Sequence, residues 1–371
     1  MTQADRPPST LAELTTMRVG GPAARFVTAT TEAELIDAVR ETDEAGEPLL
    51  VLAGGSNLLI SDDGFPGTVV IVRTSGIEVP DASACGGVTA TVAAGEVWDD
   101  VVAHACEQGW SGIEALSGIP GSTGATPVQN VGAYGQEVAQ TIAQVRVWDR
   151  EEQRVRTLFA DDLHFTYRHS VLKDSMVGPA ARAGAVTPRH VVLSVTFSLR
   201  PTELSQPVAY AALADGLGVE LGSRVPLQEA REAVLAQRRN RGMVLDPADH
   251  DTWSCGSFFT NPILSAGDFE TLRARAVERW GPDGPVPPQF AAPDGMVKTS
   301  AAWLIDRAGF SKGHGLPGPA ALSTKHTLAL TNRGDASAAD LVALAQEVRA
   351  GVADAFGVSL VNEPVLVGLS L

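Results

Sequence analysis

Two glycine-rich stretches constrain the fold of this 371-residue chain more than any other feature. The first glycine stretch, Leu49–Ile60, is an apolar run typical of a buried strand that leads directly into the turn GGSN. The second glycine stretch, Leu116–Gly135, reads LSGIPGSTGATPVQNVGAYG. Because glycine has no Cβ, successive backbone N–H groups in such turns can form concave nests that hold phosphate oxygens. One such stretch is often only a surface loop, but two of them predict a ligand with two or more phosphates, held between them.

The composition is that of a soluble globular protein, with 44% hydrophobic and 19% charged residues, and the length predicts two or three domains. No apolar run reaches the roughly 18 residues of a membrane span, and the N-terminal MTQADRPPST lacks the layout of a secretory signal. We therefore expect a cytoplasmic protein. The formal net charge of −16 disfavours nucleic acid as a partner, and it requires local arginine and lysine side chains to meet any anionic ligand.

The cysteines and histidines predict neither a disulfide framework nor a metal site. Cys85, Cys106 and Cys255 lack C-x-x-C spacing, and no H-E-x-x-H motif occurs. The string Gly313-x-Gly315-x-x-Gly318 matches the dinucleotide-binding fingerprint in letters only, because it follows a predicted helix rather than a strand. We interpret this string as a turn, so the two glycine stretches must hold their ligand in a fold other than the Rossmann type.

Hydrophobic periodicity and capping signals predict helices and strands along the whole chain. Thr31 and Glu34 form a capping box before a helix that ends near Gly46. Apolar residues at the odd positions from 191 to 199 predict a half-buried strand, and the polar segment Arg200–Pro207 after it is a candidate domain boundary. The other predicted elements are strands at Leu49–Leu52, Val69–Arg73, Thr327–Thr331 and Val358–Leu371, and helices over residues 97–105, ending at Gln237–Arg241, over Ala301–Ala308 and after the N-cap Ser337.

Several strings, all in one order, carry a resemblance to a known family. They are GGSNLL from Gly54, SGIPGSTG from Ser117, QNVGAYG from Gln129, YRHS from Tyr167, GSFFTNP from Gly256 and WLID from Trp303. With TTMRVGG from Thr15 near one end and Glu363 near the other, they span essentially the whole chain. The chain resembles the UDP-N-acetylenolpyruvoylglucosamine reductases, also called UDP-N-acetylmuramate dehydrogenases.

The resemblance implies an α+β protein with a split FAD-binding domain of the vanillyl-alcohol-oxidase (PCMH) type and a smaller α+β substrate-binding domain. The implied bounds are residues 8–74 and 75–205 for two FAD-binding subdomains and 206–357 for the substrate-binding domain. Residues 358–371 would form a C-terminal strand that returns to the active site. A monomer is expected. Tyr210 matches the mobile tyrosine of the type I members, which carry a substrate-capping loop.

The resemblance also implies non-covalent FAD, with NADPH as the co-substrate that reduces it. The implied reaction converts the enolpyruvyl ether of a UDP-sugar to UDP-N-acetylmuramate for peptidoglycan synthesis. The residues that match the family's flavin-binding motifs are Gly54, Gly55, Ser56, Asn57, Ser117, Gly118, Ile119, Pro120, Gly121, Ser122, Gly124, Asn130, Gly132, Ala133, Tyr134, Gly135 and Tyr167.

Three residues match the family's catalytic positions: Ser257 as proton donor, and Arg168 and Glu363 as stabilisers of the charge that develops on the substrate carboxylate. Arg168 has the alternative of an ordinary ion pair, and Ser257 that of a turn serine bonded to its own backbone. Glu363 lies among apolar residues, where a carboxylate is costly to bury unless it has a partner or a function. The thiol of Cys255 could compete with Ser257 as donor or be a buried core cysteine.

Binding of the UDP-sugar needs cations despite the negative total charge. The residues that match the family's nucleotide and substrate positions are Arg238, Arg241, Lys312, Asn261 and Tyr210. A basic helix end favoured by the helix dipole is the alternative for Gln237–Arg241. The chain departs from the family pattern at Phe290, Val365 and Arg241, which affects the details of nucleotide binding rather than the reaction.

Two rival functions stay open at this point. A different flavin oxidase or dehydrogenase of the same domain type would act on an alcohol or lactone, and would not need Ser257, Arg168 and Glu363 together over flavin N5. A flavin-binding sensor without turnover would have lost one of these three residues, and all three are present.

Overall fold

The computed structural model describes residues 8–83, 87–177 and 185–371, so Cys85 and the first residues of the N-terminal segment lie outside the described residues. The chain divides into two compact units. The first unit contains the residues up to Thr10, Pro22–Gly55 and Phe65–Val244, and the second contains Leu11–Gly21, Ser56–Gly64 and Leu245–Leu371. One boundary between the units, at Gly55–Ser56, falls inside the first glycine stretch.

Helices and strands occur in both units. The α-helices of the described residues are α1 (Glu32–Glu44), α2 (Trp98–Glu107), α3 (Val171–Val177), α4 (Ala211–Leu217), α5 (Leu227–Arg239), α6 (Ala266–Trp280), α7 (Ala301–Arg307) and α8 (Ala338–Phe356). The strands are β1 (Ala23–Ala29), β2 (Leu49–Leu52), β3 (Leu58–Ile60), β4 (Phe65–Val72), β5 (Ile77–Ser83), β6 (Gly87–Ala93), β7 (Trp110–Ser111), β8 (Gly132–Ala133), β9 (Gln136–Glu137), β10 (Ile142–Asp149), β11 (Arg154–Phe159), β12 (His190–Pro201), β13 (Ile263–Leu264), β14 (Phe290–Ala291), β15 (Val297–Lys298), β16 (Ala320–Leu322), β17 (Leu330–Asn332) and β18 (Val365–Val367). Within these residues, no helix combines the length and the apolar character that a membrane span requires.

A parallel sheet in the order β1-β4-β2 lies in the first unit, with α1 connecting β1 to β2. The predicted capping box is confirmed: the Thr31 hydroxyl accepts from the Glu34 N–H at 3.2 Å, and the Glu34 carboxylate accepts from the Thr31 N–H at 3.2 Å. The apolar face of α1 is buried because its residues recur every three to four positions. The predicted strands at residues 49–52 and 69–73 correspond to β2 and to the second half of β4.

The second sheet of the first unit is antiparallel, in the order β11-β10-β12-β6-β5. The central strand β12 extends past the predicted end, because Arg200 and Pro201 pair with β7. The boundary predicted at Arg200–Pro207 therefore begins inside a strand. α2 is the helix predicted over residues 97–105, and its Trp98 ring lies 5.7 Å from the ring of Phe197 on β12.

The core of the second unit is formed by α6, α7 and α8 together with Phe258 and Phe259. α8 begins as predicted at the N-cap Ser337, whose hydroxyl accepts from an N–H of the first turn at 3.1 Å. The predicted strand Val358–Leu371 is too long, because regular strand structure covers only β18, which pairs in parallel with β3. Pro364 has no N–H to donate, and Gly368 has a φ of +68°, so both ends of β18 interrupt the strand.

Other predicted elements are present with shifted bounds. α5 ends at Arg239, inside the predicted helix end, and α7 stops at Arg307. The strand predicted at residues 327–331 is β17, which begins at Leu330. The string Gly313–Gly318 is an irregular turn, as predicted, and opens no helix.

The two compact units do not follow the predicted domain bounds. Residues 206–244 cluster with the first unit, although the resemblance implies a substrate-binding domain over 206–357. The physical reason is packing: Val208 and Val234 share an apolar cluster with Ala115, and Arg231 on α5 pairs with Asp99 on α2. The bounds 8–74, 75–205, 206–357 and 358–371 stay a prediction.

Asp149, the last residue of β10, is a buried charge with many donors. Its carboxylate has no solvent exposure and accepts from Arg189 at 2.7 and 2.8 Å and from Arg156 at 3.1 Å. The N–H groups of Glu151 and Glu152 donate to it as well. Burial by itself would raise the pKa of Asp149, but these donors outweigh burial and hold its pKa well below the ordinary value.

We expect Asp149→Asn to lower the free energy of unfolding by about 3 kcal/mol at pH 7, because it removes the counter-charge of two partly buried guanidinium groups. The folded-state pKa of Asp149 is lowered, so its contribution is present above the unfolded-state pKa and is lost as the pH falls below about 5. Urea unfolding at pH 7 and at pH 4 measures the loss of stability and its pH dependence. The free energy of unfolding should fall less from pH 7 to pH 4 in the variant than in the native chain. The control is Asp37→Asn, in an exposed pair with Arg40, where a change below about 0.5 kcal/mol is expected. Equal losses in the two variants would contradict this role of Asp149.

Candidate functional site

The two glycine stretches touch each other in the first unit. A Cβ atom on Gly54 would lie 2.5 Å from the Cα of Gly121 and 2.8 Å from its carbonyl carbon, so a side chain is excluded there. The chain before α2 fixes this part of the second glycine stretch, because the Trp98 N–H donates to the Gly121 carbonyl at 3.1 Å. The Thr123 N–H donates to the Glu96 carbonyl at 2.8 Å. The two stretches that are predicted to hold one ligand therefore lie side by side.

Ser122 provides a test of whether this region suits a phosphate-bearing cofactor. Its hydroxyl is buried and has no hydrogen-bond partner among the described residues. A buried hydroxyl without a partner is costly, so this position favours a polar ligand atom such as a phosphate oxygen. Gly118 and Gly121 have φ values of +71° and +124°, which open their turns in the way that a nest of N–H groups needs. The residues present fit the diphosphate of FAD.

Asn130 holds the second half of the second glycine stretch in place. The residue is buried, and its backbone has a φ of +46°. Its side-chain amide donates to the Glu137 carboxylate at 2.8 Å and to the Thr166 carbonyl at 3.1 Å. Its side-chain oxygen accepts from the Ala139 N–H at 3.2 Å. Asn130 therefore ties the loop that carries Gly132–Gly135 to the turn that carries Tyr167 and Arg168.

Arg168 lies at the tip of a tight turn closed by two backbone hydrogen bonds between Thr166 and His169, at 3.0 and 3.2 Å. Its φ of +56° is unusual for a residue with a side chain, and the turn holds it there. One guanidinium nitrogen donates to the Gly132 carbonyl at 3.2 Å, and the guanidinium carbon lies 5.5 Å from the ring centre of Tyr167. The turn and the second glycine stretch thus position Arg168 together.

In the second unit, the segment that contains Ser257 runs alongside the segment that contains Glu363. The Glu363 N–H donates to the carbonyl of Phe258 at 2.8 Å, and Phe259 forms an antiparallel bridge with Asn362. Ser257 directly precedes this pairing, so Ser257 and Glu363 lie at the same end of it. Both residues are half-buried, and the Ser257 hydroxyl forms no hydrogen bond to another described residue.

Asn57, at the end of the GGSN turn, meets the Glu363 segment directly. Its side-chain amide donates to the Glu363 carbonyl at 3.4 Å, and its own carbonyl accepts from the Val365 N–H at 3.0 Å. These contacts continue into the parallel pairing of β18 with β3. The second unit therefore brings Asn57, Ser257 and Glu363 together from parts of the chain about 200 and 100 residues apart.

Cys255 is a core cysteine. Its side chain is 8% exposed, and its thiol donates to the Leu58 carbonyl at 3.2 Å. Burial raises the pKa of this thiol far above its ordinary value, and its hydrogen is already engaged with the Leu58 carbonyl inside the core. The reading of Cys255 as a competitor of Ser257 is therefore disfavoured. Among the described residues, no cluster of three histidine, cysteine or carboxylate side chains could hold a metal ion.

The substrate candidates Tyr210, Arg238 and Arg241 lie with Tyr134 in the first unit. The Tyr134 and Tyr210 rings meet edge to face, with centres 5.5 Å apart, and Tyr210 is 43% exposed. Burial raises the pKa of Tyr134, although the charges of Arg238 and Arg241 oppose the shift. Burial also lowers the pKa of Arg238 to about 10, and its Nε has no hydrogen-bond partner within the described residues. These observations favour an anion-binding role over a solvated helix end.

Asn261 and Lys312 lie in the second unit. The Asn261 side-chain oxygen accepts from the Ala301 N–H at 3.0 Å, so it already helps to begin α7. Lys312 is exposed in the turn after α7. Both assignments to substrate binding stay predictions.

The sequence-predicted residues therefore divide between the two units. Ser56, Asn57, Ser257, Asn261, Lys312 and Glu363 belong to the second unit, and the other predicted site residues belong to the first. Of the flavin-motif residues not yet placed, Gly55, Ser117 and Gly124 are buried, Ser56, Ile119, Pro120, Ala133 and Tyr167 are half-buried, and Gly135 is exposed.

Sequence reasoning missed two carboxylates that hold these turns. Glu137 receives the amide of Asn130, and Asp99 accepts from the Gly118 N–H at 2.6 Å. Glu137 pairs with Gly132 across the short hairpin of β8 and β9. The glycine at position 135, between the two strands, is the turn signal in the sequence that marks this hairpin. No local signal marks Asp99, since an acidic residue in the first turn of a helix is ordinary.

We expect Gly54→Ala to yield a protein that is purified with little or no flavin. The new Cβ would meet rigid backbone at Gly121, so one of the two glycine stretches must move. The ratio of flavin absorbance to protein absorbance measures the effect. The control is Gly267→Ala near the start of α6, where a Cβ has 3.9 Å of room and alanine favours the helix. A full flavin content in Gly54→Ala would contradict the role of this contact.

Comparisons with known proteins show which family this chain belongs to. A family model described as "UDP-N-acetylenolpyruvoylglucosamine reductase, C-terminal domain" matches residues 246–367, and an "FAD binding domain" model matches residues 23–158. The UDP-N-acetylenolpyruvoylglucosamine reductase of Streptomyces avermitilis is 56% identical over 97% of this chain and 94% of its own length. That of Saccharopolyspora erythraea is 57% identical over 98% and 96%. That of Mycobacterium tuberculosis is 50% identical over 97% and 95%.

A solved structure agrees at the level of the fold. The crystal structure of UDP-N-acetylenolpyruvylglucosamine reductase from Thermus caldophilus superposes with a TM-score of 0.61 at 24% identity, covering 96% of this chain and 97% of that one. The α+β fold with an FAD-binding domain and a second, smaller domain is therefore confirmed. This chain belongs to the UDP-N-acetylenolpyruvoylglucosamine reductase family of FAD-dependent oxidoreductases.

Proposed function

We propose that this chain reduces the enolpyruvyl ether of UDP-N-acetylenolpyruvoylglucosamine to UDP-N-acetylmuramate for peptidoglycan synthesis, with NADPH as the electron source. FAD, which the residues of the two glycine stretches would hold, would supply the two-electron chemistry between NADPH and the enolpyruvyl group. Ser257, Arg168 and Glu363 are the proposed catalytic residues.

The observation that carries the proposal is the backbone pairing in the second unit. Hydrogen bonds join Glu363 to Phe258, the residue after Ser257, at 2.8 Å, and join Asn57 to Val365 and Glu363 at 3.0 and 3.4 Å. An oxidase that acts on an alcohol needs a base to accept the hydroxyl proton and no proton donor. A reductase of a conjugated enol ether needs a donor, because a proton must reach the carbon next to the one that receives the hydride.

Arg168, together with Glu363 when its carboxyl group is protonated or hydrogen-bonded, is proposed to stabilise the negative charge that moves onto the substrate carboxylate, as an enediolate. Donors held in place before the reaction are usually the largest catalytic contribution of this kind. Arg168 suits this role because two backbone hydrogen bonds between Thr166 and His169 close its turn, and its guanidinium donates to the Gly132 carbonyl. Glu363 is held in part through its backbone, because its N–H donates to the Phe258 carbonyl and its carbonyl accepts from the Asn57 side chain.

Ser257 is proposed to donate the proton that completes the reaction. A serine hydroxyl is a weak acid in water, but the carbon of an enolate is a strong base, so the transfer is favourable. The hydroxyl is half-buried and makes no hydrogen bond to another described residue, so it is available to a substrate. The neighbouring thiol of Cys255 is engaged with Leu58 instead.

Arg238 and Arg241 are proposed to meet the diphosphate of the UDP-sugar, with Tyr210 beside them. An anionic ligand would compensate the buried positive charge of Arg238 and give its Nε an acceptor. Asn261 and Lys312 are proposed to take part in binding of the UDP-sugar as well.

The oxidation of NADPH, followed at 340 nm with and without the enolpyruvyl UDP-sugar, tests the proposal. Consumption should depend on the sugar, and mass spectrometry should find one UDP-N-acetylmuramate for each NADPH. Consumption that depends on oxygen alone, with the sugar unchanged, would instead identify a flavin oxidase of the same domain type.

A further inference from the structure

Asp99 occupies an unusual position for an acidic residue in the first turn of a helix. Such residues usually face solvent and interact with the helix dipole. Asp99 is instead 32% exposed, and its carboxylate accepts from the Gly118 N–H at 2.6 Å. The same carboxylate accepts both Nη atoms of Arg231, at 2.6 and 3.0 Å. Paired bonds of this kind fix orientation as well as distance.

Gly118 is the point where the second glycine stretch meets α5. Its φ is +71°, and a Cβ there would lie 2.7 Å from Leu235 Cδ2 and 3.5 Å from the Nε of Arg238. Arg231, Leu235 and Arg238 recur at intervals of four and three along α5, so they share one face of this helix. That face of α5 therefore packs against the Gly118 turn. The Asp99 carboxylate is hydrogen-bonded both to the Gly118 N–H and to Arg231 on this face.

Arg238 depends on the same carboxylate. It is a largely buried guanidinium whose one described hydrogen bond runs to the Met243 carbonyl at 2.8 Å. The charge of Asp99 opposes the effect of burial on the pKa of Arg238, and the charge of Arg238 helps to lower the pKa of Asp99. Asp99 therefore serves as counter-charge for two arginines, Arg231 by direct contact and Arg238 at longer range.

We propose that Asp99 and Arg231 are a positioning pair that holds the Gly118 turn and helix α5 in one arrangement, so that binding of FAD and binding of the UDP-sugar both depend on it. The substrate half of this inference rests on the proposed function, whereas the flavin half rests on the FAD-binding domain alone. Neither residue is proposed to touch the reacting atoms.

The test uses Asp99→Asn, which keeps the size of the side chain and removes its charge. Serial dilution of the purified holoenzyme, with the fluorescence of released flavin as readout, gives the dissociation constant for FAD. We expect this constant to rise roughly tenfold or more, since a charge-assisted pair is lost. The KM for the UDP-sugar should rise by a similar factor, while kcat at saturating FAD and sugar stays within about twofold of wild type.

Asp43→Asn is the matched control. Asp43, on α1, also accepts two bonds from one guanidinium group, from the Nε and Nη2 of Arg150, and both side chains are 18% exposed. This variant should lose stability but keep both binding constants. Arg231→Lys retains the charge and loses the paired geometry, so it provides a milder variant if Asp99→Asn does not fold, with both constants expected to rise.

Equal FAD dissociation constants in Asp99→Asn and Asp43→Asn would overturn the proposal. If Asp99→Asn raised only the FAD dissociation constant, or only the KM for the UDP-sugar, the proposal that both depend on this pair would be contradicted. If the wild-type protein does not turn over the UDP-sugar, the proposed function fails, and the flavin readout still decides whether Asp99 positions the Gly118 turn.

Discussion

Ser257→Ala should retain its yellow flavin and its reduction by NADPH, yet lose turnover of the enolpyruvyl UDP-sugar by about 10²–10⁴-fold or more. The substitution removes the hydroxyl that is proposed to protonate the carbon that becomes basic once the hydride has been added. The loss of a single oxygen atom at a half-buried turn leaves the Phe258 and Phe259 packing intact. Single-turnover stopped-flow experiments separate reduction of the flavin from its reoxidation by the sugar.

Ser265→Ala controls for the general effect of removing a serine in the second unit. Its hydroxyl caps α6 by accepting from the Asp268 N–H at 3.1 Å, so this variant should lose about 1 kcal/mol of stability and no activity. A Ser257→Ala rate within a factor of two of wild type would remove Ser257 from its role.

Glu363→Gln should lower turnover by about 10²–10³-fold, because it removes the carboxyl group that is proposed to act on the developing charge. Two contacts of its backbone help to place this residue: its N–H donates to the Phe258 carbonyl, and its carbonyl accepts from the Asn57 side chain. The substitution is nearly isosteric, so a large rate effect reports the chemistry of the carboxyl group. Turnover at saturating sugar and thermal unfolding, measured on the same preparation, provide the comparison.

Glu347→Gln is the matched control for this substitution. Glu347 is an exposed carboxylate on α8 that pairs with His314 at 2.9 Å, and its loss should leave turnover unchanged. Wild-type activity in Glu363→Gln would identify Glu363 as a structural carboxylate, and unfolding of that variant would show that the side chain supports the fold.

Much of the local structure was predictable because its causes are local. The capping residues Thr31 and Ser337 begin α1 and α8 through contacts within one helical turn. The alternation in residues 191–199 specified β12, since burial of one face needs a period of two. The end of β12 was missed because Arg200 and Pro201 read as linker in composition, and only pairing with β7 makes them strand.

The candidate site was predictable in its residues but not in its geometry. Nothing in the sequence around Asn57 indicates a contact with Glu363, since parallel pairing of β3 with β18 depends on the whole second unit. Arg168 gives no local sign of its positive φ, which the turn around it imposes. Asp99 looked like an ordinary helix residue until its contacts with Gly118 and Arg231 were visible. These features depend on tertiary packing, which no short window of sequence encodes.

An anaerobic flavin titration addresses the proposed reaction most directly. The purified protein should be yellow, one equivalent of NADPH should bleach the flavin absorbance, and addition of the enolpyruvyl UDP-sugar without oxygen should restore it with formation of UDP-N-acetylmuramate. A flavin that stays bleached after the sugar is added, and recovers only when air enters, would contradict the proposed reaction.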